Sequence, residues 1–295
     1  MLISASRRTD IPGFYAQWFM NRVRSGSVRV QNPYNSRQVR QISLRPSDVD
    51  AVVFWTKNPR PLVPHLNELD SLGYKYYFQY TLNDYPGIFE PGVLSLESRL
   101  ETFCDLAERV GASRVVWRYD PIILSNITPI EYHLERVRML ASRLRTKTKR
   151  LTWSLMDFYK ATTERLGELS QERIVIEDLP TDSERFRRLI LGLVETAEDN
   201  DMQLVSCCEP EAQTVLGVPA SACVDALILR DVLGVRAPMQ NDRHQRQSCR
   251  CVSSVDIGAY NSCPAMCRYC YANHAEKSVR RNVMRHNPDG ESLVP

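Results

Sequence analysis

Short apolar runs and longer stretches with helical spacing alternate along the chain. Seven apolar runs with the length and composition of buried strands begin at residues 2, 50, 74, 114, 151, 203 and 254. Helical stretches lie between several of them, and three begin at capping boxes that start at Ser98, Thr128 and Thr181. Because strands separated by helices favour parallel pairing, the pattern predicts an α/β fold with a parallel sheet, closed into a partial or full TIM-like (β/α) barrel.

The length of the chain is consistent with one domain of this kind. Its 295 residues lie in the range in which barrels of alternating strands and helices fold as one unit. Neither a low-complexity segment nor an obvious linker divides the sequence. We therefore predict a single domain over residues 1–295, with eight of the nine cysteines in residues 203–295.

Polar residues follow three of the predicted strands, each after an apolar run that ends in tryptophan. In a barrel these polar side chains would ring the carboxyl-terminal mouth, where such folds keep their chemistry. We therefore predict Lys57, Arg118 and Asp120 as catalytic residues, with Asp157 at the same edge. The alternative is that each residue only closes a strand or caps the following helix.

Composition and charge favour a globular protein away from membranes. Hydrophobic residues make up 43% of the chain and the net charge is only +3. Arg7, Arg8 and Asp10 stand where an export signal would need its apolar stretch. The longest uncharged run, residues 212–224, is shorter than the ~20 residues that cross a bilayer. We expect a cytoplasmic protein that does not interact with a membrane.

Nine cysteines are distributed unevenly along the sequence. Cys104 stands alone in the first two thirds, beside the apolar stripe of a predicted helix, and we expect it to pack there. The other eight crowd into the last third. An odd number of cysteines fits poorly with a secreted disulfide framework, so metal binding or redox chemistry is favoured.

Three of the cysteines form a CxxxCxxC run in the segment "YNSCPAMCRYCYAN" at residues 260–273. Thiolates are the soft ligands that hold iron–sulfur clusters and zinc. Cys263, Cys267 and Cys270 can bind three corners of a [4Fe–4S] cubane, which leaves the fourth iron open. Tyr260 and Asn261, just before the run, are predicted to shape the turn.

The run resembles the signature of the radical SAM superfamily, CxxxCx(aromatic)C directly after a barrel strand, with Tyr269 at the aromatic position. The resemblance implies a [4Fe–4S] cluster on the three cysteines and S-adenosylmethionine (SAM) on its open iron, with Tyr269 among the cofactor-binding residues. It implies reductive cleavage of SAM to a 5′-deoxyadenosyl radical that abstracts hydrogen from an unknown substrate. It also implies a reducing electron donor such as flavodoxin or ferredoxin.

The position of the motif departs from that superfamily, whose members usually carry it on the first strand. Here six predicted strands precede the one that begins at residue 254. A circular permutation resolves the difference if that last strand lies beside the strand at residue 2 and closes the same sheet. The expected barrel is therefore permuted, with its cluster-bearing first strand at the C-terminus.

The whole chain is also similar to an uncharacterised bacterial family. This resemblance spans residue 2 to about residue 273 and includes the segments "SASRRTDIP", "FWTKNP", "WRYDP" and "DIGAYNSCxxxCxYCYAN". The "TKNP" segment is distantly similar to spore-photolyase-like members of the radical SAM superfamily. The resemblance implies no substrate, so nucleotide or nucleic acid, peptide and small metabolite all stay open.

The segment "SASRRTDIP" stands where radical SAM enzymes usually have a glycine-rich element that receives the methionine amino group. Arginine grips carboxylates through two hydrogen bonds, and aspartate accepts from an ammonium group. We therefore predict that Ser6, Arg7, Arg8 and Asp10 bind the methionyl part of SAM. The alternative is a helix N-cap at Asp10 beside a solvated arginine pair.

Four further cysteines are the number that a second cluster needs: Cys208, Cys223, Cys249 and Cys251. We predict an auxiliary [4Fe–4S] cluster there, and a structural zinc site is the alternative. Adjacent side chains of a strand face opposite sides, so only one of Cys207 and Cys208 is expected to reach the site. The family resemblance selects Cys208.

The alternative function is a non-enzymatic iron–sulfur or zinc protein that binds nucleic acid. Residues 136–150 hold seven basic residues and no acidic one, and such patches contact phosphate backbones. Further basic residues follow late in the sequence: Lys277, Arg280, Arg281 and Arg285. A solvated helix flank with its exit loop is the other interpretation of residues 136–150.

Overall fold

A parallel sheet forms the centre of the computed structural model, which describes residues 1–246 and 248–295. Apolar residues are buried on both faces of the sheet, so most of its strands are nearly continuous apolar runs. The strands are β1 (Leu2–Ala5), β2 (Ser27–Asn32), β3 (Asn35–Ser43), β4 (Ala51–Thr56), β5 (Tyr76–Thr81), β6 (Val115–Ile122), β7 (Leu124–Ser125), β8 (Arg150–Leu155), β9 (Ile176–Glu177), β10 (Gln203–Ser206) and β11 (Val255–Asp256).

The central sheet has seven strands in the order β10-β8-β6-β5-β4-β1-β11, and all neighbours run parallel. These are the seven strands that the apolar runs predict, so the α/β class is confirmed. The expected pairing of the last strand with the first is also confirmed, because Ile3 aligns with Val255 and Ser4 with Asp256. Within the described residues no ladder joins β10 to β11, and a closed barrel is therefore not shown.

The helices begin near the predicted capping boxes but not at the predicted residues. Ser95 caps the helix expected at Ser98, and Ser183 caps the helix expected at Thr181. Thr128 donates instead to the carbonyl of Ile123 and caps no helix. The helices are α1 (Ile11–Phe14), α2 (Ala16–Ser25), α3 (Leu66–Ser71), α4 (Leu96–Val110), α5 (Ile130–Leu144), α6 (Lys160–Gly167), α7 (Glu184–Asp199), α8 (Pro210–Leu216) and α9 (Glu276–Arg285).

The two faces of the sheet bury different kinds of residue. In β4, Val52 and Phe54 join the large apolar core under the helices, which includes residues of α4, α5 and α7. Ala51 and Val53 point the other way, into a smaller cluster that contains Cys207, Cys223 and Cys251. The face away from these helices therefore carries thiols.

Two small antiparallel sheets lie outside the main one, β2 with β3 and β7 with β9. Every helix found among residues 1–246 and 248–295 is too short or too polar to cross a membrane.

Candidate functional site

One cavity of about 380 Å³ opens where the parallel strands end. Eight of the nine cysteines line it, and Cys104 lies apart from it on α4. The cavity brings together all the residues that the sequence predicts for a site: Ser6, Arg7, Arg8, Asp10, Lys57, Arg118, Asp120, Tyr269, Cys208, Cys223, Cys249, Cys251, Cys263, Cys267 and Cys270. The residues that were predicted separately therefore line one cavity at the carboxyl ends of the strands.

The first cysteine set, Cys263, Cys267 and Cys270, lies on a loop after β11 whose backbone is held from outside. Arg165 of α6 donates to three carbonyls of this loop, those of Arg268 at 3.0 Å, Cys270 and Asn273. The Asn273 amide donates to the carbonyl of Cys263 at 2.8 Å. Both ends of the cysteine run are thereby fixed by side chains.

A second segment, residues 86–93, packs against the middle of the same loop. The amide of Arg268 donates to the carbonyl of Phe89 at 2.9 Å, and the amide of Gly92 donates to that of Ala265 at 3.1 Å. A Cβ atom at position 92 would lie only 2.8 Å from the Ala265 oxygen, so glycine allows this approach.

The turn before the run is shaped by its own side chains, as predicted for Asn261. This residue has φ of 54°, and its Oδ1 accepts from the amides of His274 and Ala275. Tyr260 stacks on His274 with ring centroids 5.4 Å apart.

Burial disfavours the ionised form of two thiols of the first set, Cys263 and Cys267. Burial raises the pKa of Cys263 to about 12. Burial raises the pKa of Cys267 well above its ordinary value, and the ammonium group of Lys57 opposes that rise only in part. A metal that binds here would displace protons.

Lys57 belongs to a buried ion-pair network beside the first set. Its Nζ lies 2.8 Å from Oε1 of Glu90, whose side chain is only 3% exposed. Arg99 lies 3.9 Å from the other oxygen of Glu90, and the hydroxyl of Tyr269 donates to this carboxylate. The predicted catalytic lysine is therefore paired, and Tyr269 reaches Glu90 through its hydroxyl.

Asp10 caps α1, as the alternative interpretation expects. Its Oδ1 accepts from the amide of Gly13 and its Oδ2 from the amide of Lys57, both at 2.8 Å. Burial raises the pKa of Asp10 to about 6, although the hydrogen bond from Lys57 opposes the rise. Both carboxylate oxygens of Asp10 therefore already accept hydrogen bonds from backbone amides, without the ammonium group of a ligand.

Ser6 and the two arginines are held by Asp256 at the end of β11. Asp256 accepts from the Ser6 hydroxyl and from the Arg7 amide, both at 2.8 Å, and lies 3.9 Å from Nε of Arg8. Ser6 in turn accepts from the Arg8 amide at 2.8 Å. Arg8 also lies over the ring of Tyr260 and its side chain is 22% exposed, so the arginine pair is only partly accessible to solvent.

Arg7 and Arg118 lie on the ring of Trp55, at 5.3 Å and 5.5 Å from its centroid. Arg118 forms a bidentate ion pair with Asp120 and donates to Sγ of Cys223 at 3.0 Å. Nη2 of Arg7 is buried and, among the described residues, has no hydrogen-bond partner. Two of the predicted catalytic residues therefore pair with each other, whereas Nη2 of Arg7 is a buried donor without a partner among the described residues.

The remaining cysteines of the cavity form a second cysteine set of five thiols rather than four. Neighbouring thiols contact one another around a ring, and Sγ of Cys207 lies 3.3 Å from Sγ of Cys223. The members are Cys207, Cys208, Cys223, Cys249 and Cys251. The expectation that adjacent residues face opposite sides does not apply, because β10 ends at Ser206 and Cys208 has φ of 63°.

In residues 1–246 and 248–295, no group of three or more histidine, cysteine, aspartate or glutamate side chains is arranged to hold a metal ion. A structural zinc ion would require four thiolates around one point. A cubane differs, since each thiolate binds a separate iron atom and the ligands surround the volume of a cluster. Thiolate sulfur, the donor that both cysteine sets offer, is the type of ligand that binds iron–sulfur clusters.

The basic stretch at residues 136–150 is largely neutralised. Six of its seven basic side chains form ion pairs. Arg138 pairs with Glu195 and Arg145 with Asp201, for example. The interpretation as a solvated helix flank agrees with this arrangement, whereas a phosphate-binding surface would need free cations.

Four residues of the site were not expected from the sequence: Glu90, Arg165, Cys207 and Asp256. Asp256 carries the same signal as Asp120, an acidic residue at the carboxyl end of a strand. Cys207 could have been found from its position next to Cys208. Glu90 and Arg165 act through contacts between distant segments and leave no local pattern.

A model of the family described as "domain of unknown function (DUF1848)" matches residues 2–272. No curated protein and no solved structure matches the chain. The family match includes β1, the strand-end residues and the three cysteines of the first set, and it spans most of the sequence. This chain is a member of the DUF1848 family.

Proposed function

We propose that this protein is a radical SAM enzyme. The observation that carries the proposal is the first cysteine set, three thiols spaced CxxxCxxC on a side-chain-held loop that opens into a cavity at the strand ends. Cys263, Cys267 and Cys270 would hold a [4Fe–4S] cluster. When bound, that cluster would supply the electron for cleavage of SAM to a 5′-deoxyadenosyl radical, which abstracts hydrogen from the substrate.

The strand order supports a permuted partial barrel as the frame of this site. Taken from β11, the strands of the sheet follow the chain in the order β11, β1, β4, β5, β6, β8 and β10. In this arrangement β11 takes the place of the first strand of a radical SAM barrel. The Ser6–Asp10 segment then follows the second strand, where the methionyl part of SAM is bound in that superfamily.

Within that segment, Arg7 is the residue best able to bind a carboxylate. Its Nη2 is a buried donor with no partner among the described residues, and the side chain lines the cavity. An arginine donates to carboxylates in a fixed geometry. Ser6 and Asp10 would act indirectly, because they hold the segment through Asp256, Gly13 and the Lys57 amide.

Other residues would exclude water and position the loop. Glu90 and Lys57 form a buried ion pair beside Cys267, and Arg165 fixes the carbonyls around Cys270. A dry cavity protects reactive species from side reactions. Arg118 and Asp120 would support the second cysteine set, where we propose an auxiliary [4Fe–4S] cluster.

The reaction would need a reducing electron donor such as flavodoxin or ferredoxin, together with a substrate whose class stays open. A cytoplasmic location belongs to the same proposal, because a reducing compartment keeps eight cavity thiols available for metal.

The test is reductive cleavage of SAM. Anoxic protein reconstituted with iron and sulfide, reduced with dithionite and incubated with SAM should release 5′-deoxyadenosine. The Cys263→Ala variant should lose at least a hundredfold of this activity. Cys104→Ala, which removes a thiol outside the cavity, should retain it. A wild-type protein that binds the cluster but yields no 5′-deoxyadenosine would overturn the proposal.

A further inference from the structure

The second cysteine set contains five thiols, whereas a [4Fe–4S] cluster takes four. One thiol of the ring is therefore left over. We infer that Cys207, Cys223, Cys249 and Cys251 are the ligands of the second cluster and that Cys208 stays outside it. This assignment rests on the auxiliary cluster of the proposed function, but not on the first cluster or on SAM.

Burial separates Cys207 from its neighbour in the sequence. Three thiols are almost fully buried: Cys207 is 8% exposed, Cys223 7% and Cys251 3%. They belong to the apolar cluster on the sheet face away from α4, α5 and α7. Cys208 and Cys249 are only partly buried. Three of the four ligands therefore come from the buried side of the ring. We assign Cys249 as the fourth because it contacts Cys251, which lies two residues later in the sequence.

Arginine side chains also contact the thiols on the buried side of the ring. Arg118 donates to Sγ of Cys223 at 3.0 Å and also contacts the thiol of Cys207. Arg7 contacts the thiol of Cys251. Donors to ligand sulfurs orient the ligands and stabilise the negative charge of a thiolate-bound cluster.

Arg118 is itself held in place for this role. Its Nε donates to Oδ1 of Asp120 at 3.0 Å, and its Nη1 also donates to Gln79 at 3.2 Å. The guanidinium group is therefore fixed before any metal arrives. We assign it to the second cluster as a positioning residue that acts through Cys207 and Cys223.

Cys208 differs from these buried thiols in backbone conformation and burial. It follows the end of β10 with a left-handed backbone, and the neighbouring Arg246 pairs with Asp157. Cys208 lies between Cys207 and Cys249 in the ring and is less buried than Cys207. It therefore belongs to the more exposed side of the ring.

Iron content tests the assignment in a chain without the first site. In a variant with Cys263, Cys267 and Cys270 replaced by alanine, anoxic reconstitution should load about four iron atoms per chain, the number in one cluster. Adding Cys208→Ser should leave this content unchanged. Adding Cys207→Ser should lower it at least threefold, and Cys104→Ser serves as the control for loss of a thiol elsewhere.

The adjacent pair makes the result decisive. Iron lost with Cys208→Ser and kept with Cys207→Ser would overturn the assignment, as would retention in both variants. A triple-alanine chain that loads no iron would overturn it too. SAM cleavage by the unmodified protein would still stand in each of these cases, so the two proposals fail separately.

A second measurement needs no change in the second set, and so does not depend on how a variant folds. Wild-type protein loaded with iron and sulfide is treated with iodoacetamide under anoxic conditions, then digested and sequenced by mass spectrometry. Cys208 should be alkylated at least tenfold more than Cys207. After the iron is removed with a chelator and the chain is unfolded, both should be alkylated equally. Equal protection of both residues in the loaded protein would contradict the inference.

Discussion

Arg165 shows how one side chain can organise the cysteine-bearing loop after β11 from outside that loop. Its guanidinium group donates to three carbonyls, which a flat five-donor group can do and an ammonium group cannot. The carbonyl of Cys270 is one of the three. The geometry of the first cysteine set therefore depends on a residue more than a hundred positions earlier in the sequence.

We expect Arg165→Lys to lower stability and first-site loading together. Loss of two of the three charge-assisted hydrogen bonds should cost about 2–4 kcal/mol. Urea denaturation measures the stability, and iron content after reconstitution measures the loading. Arg138→Lys is the matched control, because the exposed Arg138–Glu195 pair should contribute less than about 0.5 kcal/mol. Equal effects of the two substitutions would contradict this role of Arg165.

Gly258 lies where the loop after β11 passes the segment after β1. A Cβ atom there would overlap the hydroxyl of Ser6 and approach the Thr9 methyl group at 3.2 Å. We expect Gly258→Ala to destabilise the fold by about 1–3 kcal/mol, the usual cost of overpacking. Thermal unfolding should show the change, whereas Gly87→Ala should unfold like the wild type, since its Cβ would meet nothing within 4 Å.

His133 is a buried neutral histidine away from both cysteine sets. The hydrogen bonds fit a ring whose Nε2–H donates to the Ile123 carbonyl and whose Nδ1 accepts from the Tyr119 hydroxyl, both at 2.9 Å. Burial lowers the pKa of His133 to about 4, although the bond to Ile123 opposes the shift. The folded state therefore binds this proton less readily than the unfolded chain.

The consequence is a loss of stability in mild acid. Between pH 6.5 and pH 4 the unfolded chain takes up a proton on His133 that the folded chain does not, so the free energy of unfolding falls as pH falls. The full shift corresponds to about 3 kcal/mol. We expect the stability of wild type to decline more steeply over this range than that of His133→Gln, as measured by urea denaturation. Parallel pH profiles would show the prediction to be wrong.

At the residue scale, the positions of the site could be predicted but not its contacts. Lys57, Arg118 and Asp120 follow strands, and the parallel sheet brings such positions to one edge. Their partners Glu90 and Cys223 come from loops whose path no local pattern encodes. The sequence also could not show that Asp10 has both oxygens occupied, because the second donor is the amide of Lys57.

At the scale of elements, the strands were easier to predict than the helix ends. The inner strands of the central sheet, such as β4 and β5, are dense apolar runs, and burial on both faces leaves that signal intact. The helix caps were displaced by two or three residues at Ser95 and Ser183. Ser98 lies inside the first turn of α4, and of Thr181 and Ser183 it is the residue directly before α7 that accepts from the first amides. The end of β10 was also misplaced. The prediction extended this strand beyond Ser206, so only one of Cys207 and Cys208 was expected to reach the second site.

The pairing of β11 with β1 depends on one carboxylate as well as on the short ladder. Asp256 accepts from Ser4, Ser6, Arg7 and Gly258. An asparagine would keep one acceptor oxygen and would turn an NH₂ group toward backbone donors. Asp256 therefore ties the strand before the first cysteine set to the opening segment of the chain.

We expect Asp256→Asn to destabilise the protein by about 2–4 kcal/mol. Hydrogen exchange should rise in the β11 segment and in the loop that carries the first cysteine set, and iron loading of that set should fall. Asp199→Asn changes an exposed carboxylate in the last turn of α7 and should alter stability by less than about 0.5 kcal/mol. Unchanged exchange in β11 would refute the proposed role of Asp256.

At the scale of the whole molecule, cysteines that follow the two opposite edge strands of the sheet meet in one place. Cys207 and Cys208 follow β10, and the first set follows β11, yet all of them line one cavity. The sheet must therefore curve so that its edges approach each other, even though no ladder joins β10 to β11 in the described residues. Thiols occupy part of the space between the edges.

Because the cavity cysteines belong to distant parts of the sheet, metal binding to them should stabilise the whole fold. A ligand that binds only the folded state at about a thousand times its dissociation constant adds about 4 kcal/mol. For a chain of this size that corresponds to a rise of about 10 °C in melting temperature. Anoxic scans with and without reconstituted iron and sulfide measure the shift, and Cys104→Ala should show the same shift. Identical melting of loaded and metal-free protein would contradict it.

The edge strands are short. β10 has four residues and β11 has two, whereas β4, β5 and β8 have six each and β6 has eight. A free margin this narrow offers few unpaired amides and carbonyls to another polypeptide. The sheet therefore tapers where a neighbouring copy could otherwise add a strand, which guards an open sheet against edge-to-edge self-association.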